Sequence, residues 1–328
     1  MTARRPVLLG LGAAVGLALT GLAPVRAQPA LPQPLKLLVG FPPGTGPDVV
    51  ARLLGQKLGE LLKGQVAVDN RTGAGGQIAA NAVAKAPADG GTLLLGEVGS
   101  IAIAPPAFSK LPYDPARELA VLSEVVRSDF LLVVPTTSPA QSVADFVKAA
   151  RAKADRTNIA TFGAGTPGHF GAEMFAEQAG GFKIEPIHYR ATGDAVTAIV
   201  AGDVQGAFVS TALGVAQIKG GKMRALATTA AQRSPLLPDV PTFTEAGLPK
   251  VDFSAWFAVF VPAATPAAVQ DLLATQVAAA VRAPEVRQKL VDAGFTVTGT
   301  SRAEAERMVR AEAPRWAAVV KASGFKGD

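Results

Sequence analysis

Short apolar runs alternate along this chain with stretches in which apolar residues return every third or fourth position. Leu35–Val39 reads as a buried strand, and Asp48–Leu62 reads as an amphipathic helix. In that helix Val50, Leu54, Leu58, Leu61 and Leu62 recur at helical spacing, with Arg52, Lys57, Glu60 and Lys63 between them. Val66–Val68, a helix after Gly76 and Thr92–Leu95 continue the series, a βαβαβ start that predicts a mostly parallel sheet. A second series opens at Phe130–Val134. It predicts helix Ser142–Lys153, strand Asn158–Phe162, helix His169–Gln178, strand Lys183–His188, helix Asp194–Val200 and strand Ala207–Val209. The chain then runs through Met223–Thr228, a proline-rich turn at Pro235–Pro241 and an aromatic strand from Ser254 to Val261. Helices opened by Pro266 and Pro284 and a last helix over Ser301–Ala322 complete the pattern.

Two βα series with a helical return predict an α/β fold of two lobes, each a mostly parallel sheet flanked by helices. The boundaries are 28–128 plus 229–328 for the first lobe and 129–228 for the second, with crossings near Arg127–Phe130 and Arg224–Thr229. The length of 328 residues suits two domains at roughly 100–200 residues each.

The first residues change the picture of where the chain works. Arg4 and Arg5 precede an apolar stretch from Val7 to Ala23, and Val25-Arg26-Ala27 fits a small-x-small cleavage site, so residues 1–27 read as an export signal. The stretch is short and glycine-diluted for a membrane span, which wants ~20 residues. The arginine pair leaves both the general and the twin-arginine export routes open. The chain has 0 cysteines, so neither a lipid anchor at a lipobox nor a disulfide is available. A hydrophobic core must supply the stability. Without Arg4, Arg5 and Arg26 the formal charge of +6 becomes +3, and the basic residues are scattered. That excludes the basic stripe of a nucleic-acid groove.

Three strand ends run through glycine-rich turns into helices: Gly40–Asp48, Asp69–Gln77 and Gly163–His169. Glycine admits positive φ and close approach, and the first N–H groups of a following helix lack partners, so each turn is a candidate anion receptor. Gly163-x-Gly165-x-x-Gly168 also spells a dinucleotide fingerprint. It opens a unit in the middle of its sheet, however, and Pro167 and His169 stand inside or beside it, which argues against a nucleotide. No cofactor is expected. Nor is catalysis: there are 2 histidines, no nucleophile elbow and no metal-ligand spacing.

The same turns carry a resemblance. Phe41-Pro42-Pro43-Gly44 with Asp48 and Ala51-Arg52, then Asn70-Arg71-x-Gly73-Ala74-Gly75-Gly76, recur in one family. So do Leu111-Pro112-Tyr113-Asp114-Pro115, Gly163-x-Gly165-Thr166-x-x-His169, Gly202-x-Val204 and Arg224-Ala225-Leu226-Ala227. Leu237–Thr242, Glu245-Ala246-Gly247 and Trp256 complete an ordered set covering nearly the whole chain after residue 27. In these the chain resembles the substrate-binding proteins of tripartite tricarboxylate transporters, the Bug-type periplasmic receptors. The resemblance implies a two-lobed periplasmic binding protein of type II, working as a monomer that hands a small carboxylate to membrane transporter subunits. Gly44 and Thr45, Gly73 to Gly76, and Gly165 with Thr166 would then hold carboxylate oxygens, with Phe41 and Pro43 alongside. His169 would support its turn or reach the ligand.

Other residues keep two readings each. Asp48 caps its helix or faces the ligand, and Tyr189 offers its hydroxyl to the cleft or lies at the core edge. Glu97 stands where the family commonly has a small hydroxyl residue; it is a solvated strand-end carboxylate, or a charge that favours an ammonium over a second carboxylate. Thr45, Ala104 and Gln205 are further departures. An exported α/β enzyme acting on a carboxylate, or a sensor feeding a signalling partner, remain alternative readings.

Overall fold

In a computed structural model that describes residues 29–153, 156–189 and 191–327, the chain from Leu31 onward packs as one compact unit. The export signal expected over residues 1–27 lies outside the described residues. No described helix is long and apolar enough to cross a membrane.

The first series gives β1 (Leu35–Val39), α1 (Gly46–Leu62), β2 (Val66–Asn70), α2 (Gln77–Ala84) and β3 (Thr92–Glu97). A π-turn over Gly99–Ile103 leads into two short helices, α3 (Ala104–Ala107) and α4 (Pro115–Glu118). Next comes β4, a 17-residue strand from Leu119 to Pro135. The second series is α5 (Val143–Ala152), β5 (Thr157–Thr161), α6 (Pro167–Gln178), β6 (Ile184–His188), α7 (Thr192–Ala201), β7 (Gly206–Ser210), α8 (Thr211–Lys219) and β8 (Met223–Thr228). The chain returns through β9 (Ser254–Pro262), α9 (Ala267–Arg282), α10 (Pro284–Asp292), β10 (Thr296–Val297) and α11 (Arg302–Ser323).

The strands form one mixed sheet in the order β2-β1-β3-β9-β4-β7-β5-β6. Its wings are parallel, β1 with β2 and β3, and β5 with β6 and β7. Its centre is antiparallel, because β9 runs against both β3 and β4. The run of parallel strands predicted from the alternation therefore stops where the returning chain inserts β9.

β4 changes partners along its length. Leu119–Asp129 pair with β9, whereas Phe130–Val133 pair with β7 and Leu131–Pro135 with β8. The returning segment is tied to the same point: the Thr229 hydroxyl donates to the Phe253 carbonyl (2.7 Å) and accepts from the Phe130 amide (2.9 Å). Both strands of the connection thus meet beside Phe130, whose ring lies 5.1 Å from that of Phe253.

Packing follows the two periodicities. In β4, Leu132 and Val134 enter the main core while Leu131 and Val133 enter a smaller cluster on the other face with Ile199, Val209 and Met223. Val50, Leu54 and Leu58 of α1 and Leu273, Val277 and Val281 of α9 are fully buried, one turn apart on each helix. At about 2 kcal/mol for each fully buried aliphatic side chain, such stripes supply the stability that no disulfide provides. α11 starts with a complete capping box, Ser301 with Glu304.

Candidate functional site

The first turn is built around a buried carboxylate. Asp48, in the first turn of α1 and only 2 % exposed, accepts from the Gly44 amide (2.9 Å) and Arg52 Nε (2.9 Å) on Oδ2, and from Asn70 Nδ2 (2.9 Å) on Oδ1. Asn70 Nδ2 also donates to the Phe41 carbonyl (3.0 Å), so the end of β2 is stitched to the turn after β1. Burial opposes the charge on Asp48, but the bonds from Arg52, Gly44 and Asn70 outweigh it and hold the carboxyl below its ordinary range. Thr45 occupies the cap position of α1, yet its hydroxyl donates to the Pro42 carbonyl (2.6 Å) and does not cap the helix.

These contacts occupy groups that the resemblance assigns to the ligand. Asp48 is committed to the turn by three donors and positions it. The Gly44 amide donates to Asp48, and the Thr45 amide turns back to the Pro42 carbonyl (3.3 Å). Among the described residues, the amides of Gly46 and Asp48, one and three residues into the helix, find no acceptor.

The second turn lies against the first. A Cβ on Gly40 would sit 2.4 Å from the Gly76 Cα, so only glycine permits this approach of the two backbones. Gly73, Ala74, Gly75 and Gly76 all have positive φ (130°, 47°, 61° and 88°), a conformation that costs Ala74 about 1 kcal/mol. The amides of Ala74 and Gly75 find no acceptor among the described residues, and a Cβ on Gly75 or on Gly44 would meet nothing within 4 Å. Both turns therefore present backbone to open space. A Cβ on Gly76 would lie 3.6 Å from the Ser100 hydroxyl and 4.0 Å from the Phe41 ring, which packs edge-on to Phe257 at 6.4 Å. Pro43 is exposed on the rim of the first turn.

Glu97 ends β3 opposite Phe257 of β9, and Ser100 Oγ donates to its carbonyl (3.1 Å). At 8 % exposure it is not the solvated strand-end residue that one reading allowed. Its carboxyl is pushed up to about 7 by burial, partly offset by the Gly99 amide.

The third turn is closed by its own helix. Thr166 caps α6, accepting from the His169 amide (3.4 Å) while donating to the Gly163 carbonyl (2.9 Å). Pro167 begins the helix, two residues before the predicted start, because the first helical position needs no N–H. His169 is 3 % exposed and its Nδ1 accepts from the Gly165 amide (3.2 Å), which assigns the proton to Nε2. Burial first, and the neighbouring His188 second, push its pKa down to about 4, so the ring is neutral at neutral pH. His169 thus braces the turn, and the Gly165 amide is taken up inside it. A Cβ on Gly165 would lie 3.2 Å from the ring of Phe108, just after α3, and 3.9 Å from that of Phe325 in the C-terminal tail. Ala164 is exposed, and its amide is without an acceptor among the described residues.

The first two turns therefore abut, and Glu97 lies next to Phe257 and Ser100, which neighbour Phe41 and Gly76. The third turn touches the neighbouring Phe108 segment, and Tyr189, half-buried, packs on the smaller apolar cluster behind β5. Asn70, Ser100, Phe108 and Phe325 were not singled out as site residues. The Asn70-Arg71 motif held a clue to the first; the others carry no signal of their own. No group of residues able to hold a metal ion occurs among the described residues.

The profile of the family described as Tripartite tricarboxylate transporter family receptor matches residues 50–325. The chain belongs to this receptor family. The receptor is 32% identical over 305 residues to Protein BugT of Bordetella pertussis, covering 93% of each chain. Among solved structures it is similar to R. palustris Rpa4515 with adipate (TM-score 0.82, 32% identity, 89% of this chain and 97% of that one). It is also similar to MatC (Rpa3494) from Rhodopseudomonas palustris with bound malate (TM-score 0.78, 29% identity, 87% and 98%). The fold is accordingly that of the periplasmic binding proteins, and the protein is a solute-binding receptor, not a member of an enzyme family.

Proposed function

We propose that this receptor, exported to the periplasm by its N-terminal signal, captures a small carboxylate between two lobes and delivers it as a monomer to membrane transporter subunits. The observation that carries the reading is the pair of abutting turns whose Gly46, Asp48, Ala74 and Gly75 amides find no acceptor among the described residues while Gly44 and Gly75 face open space. Unpaired N–H groups at helix starts, with the helix dipole behind them, are matched by a carboxylate's oxygens. Two solved relatives, carrying adipate and malate, support that class of guest. The lobes proposed are 28–128 with 229–328, and 129–228; the change of β4 partners between Asp129 and Phe130 supports this division. Closure would bring the exposed Ala164 amide of the third turn toward the guest, which stabilises the closed state by binding it better than the open one.

The test is calorimetric titration of the mature protein with small carboxylic acids, comparing wild type with Gly75→Leu. A side chain at Gly75 enters open space, so the fold survives with roughly 1 kcal/mol of backbone strain while the anion site is covered. Affinity should drop at least a hundredfold. Gly221→Leu, at an equally open left-handed glycine after α8, controls for the strain. Unchanged affinity in Gly75→Leu removes the site assignment.

A further inference from the structure

Glu97 is a buried carboxylate that takes the Gly99 amide but, among the described residues, has no cationic partner. It shares a wall with the two open turns: it pairs with Phe257, which packs on Phe41, and Ser100, bonded to its carbonyl, flanks Gly76. Its Oε2 lies over the Gly99 backbone, 2.8 Å from where a Cβ would sit. β9 offers it no charged residue, and neither does the π-turn over Gly99–Ile103. Tyr113 directs its hydroxyl to the Ser100 carbonyl (2.6 Å). Among the described residues no cation forms an ion pair with Glu97, although the exposed carboxylates of this chain find several. Burial raises its pKa accordingly.

A buried carboxyl left without a counter-charge at the edge of the proposed ligand site is a group whose counter-charge arrives with the ligand. The turns beside it supply the opposite polarity, unpaired N–H groups that suit a carboxylate. A guest satisfying both must carry an anion and a cation a few ångströms apart. A second carboxylate against Glu97 would instead meet a like charge. Building on the proposed function, we infer that Glu97 receives an ammonium group, so that this receptor prefers 2-amino acids to carboxylates lacking the amine.

Matched sets of four- and six-carbon acids separate the two charges: the monocarboxylate, the dicarboxylate, and the 2-amino derivative of each. Calorimetry on the mature protein at pH 8 should show the amine improving affinity at least tenfold in each set. In Glu97→Gln that preference should fall to within about threefold, and the plain dicarboxylates should bind better than they do to wild type. Glu97→Thr, smaller and also uncharged, should behave alike and shows that the effect follows the charge. Binding in which the amine makes no difference, or a preference that survives both substitutions, overturns this inference and leaves the carboxylate site standing. If folded wild type bound none of these acids, the carboxylate reading itself would fall and this inference with it.

Discussion

Removing the charge of Glu97 should stabilise the empty protein, and only at high pH. The carboxyl sits at about 7 where an ordinary glutamate has 4.5. Between those values the folded state holds a proton that the unfolded chain has released, so stability declines as pH rises through 7. Below 4.5 both states are protonated and the penalty vanishes. Fully developed, it amounts to about 3 kcal/mol, at roughly 1.4 kcal/mol for each pH unit separating the two values. At 8 % exposure little of this is screened by solvent. Glu97→Gln keeps the shape and removes the charge. Urea unfolding of ligand-free wild type and variant at pH 5 and pH 8 reads the effect as a difference of differences, in which groups common to both proteins cancel. The variant should gain about 2 to 3 kcal/mol relative to wild type on going from pH 5 to pH 8, with a melting temperature higher by roughly 5 °C at the upper pH. Equal differences at the two pH values would mean that Glu97 ionises as a solvated residue, and the reasoning about its burial would fail.

Three further outcomes follow from the turns. Asp48→Ala strips three donors of their acceptor and should destabilise the protein by about 3 kcal/mol in urea unfolding while weakening ligand binding. Because the Asp48 carboxyl is held below its ordinary range, its own contribution is present at neutral pH and is lost as the solution is acidified through that lowered value. Gly40→Ala puts a methyl 2.4 Å from the Gly76 Cα and should cost about 3 kcal/mol, whereas Gly44→Ala, facing open space, should cost about 1; thermal melting ranks them. His169, neutral in the fold with a pKa near 4 against an ordinary 6.5, draws the unfolded state to take the proton first. Stability should therefore fall by up to about 3 kcal/mol as pH drops from 6.5 to 4, and His169→Leu should flatten that part of the curve.

Much of the fold was legible in the residue pattern because it is local. The strand Leu35–Val39 matches its predicted limits, and Val66–Asn70 and Thr92–Glu97 run two residues beyond theirs. α1 starts two residues early at Gly46. Other elements were hidden. The first half of β4 interrupts its apolar run with Ser123, Glu124, Arg127, Ser128 and Asp129, and it forms a strand because Glu124 and Arg127 pair with each other and β9 and β10 supply the ladder. α8, with Gly214 in the middle of a nine-residue helix, was missed for want of a clear stripe.

What the sequence determined by itself was the alternation of strands and helices, the three glycine-rich turns after β1, β2 and β5, and the ordered motifs of a receptor family. What the tertiary structure decided was which N–H groups are free. A turn's sequence shows its donors and not their acceptors, and those come from elsewhere: Asp48, one helical turn on, takes the Gly44 amide, and His169 takes that of Gly165. The burial of Glu97 was likewise decided at a distance, by β9 returning from the far end of the chain to lie against β3. Hydrogen-bond partnership and desolvation depend on neighbours brought together only by folding, and so they are absent from any local pattern.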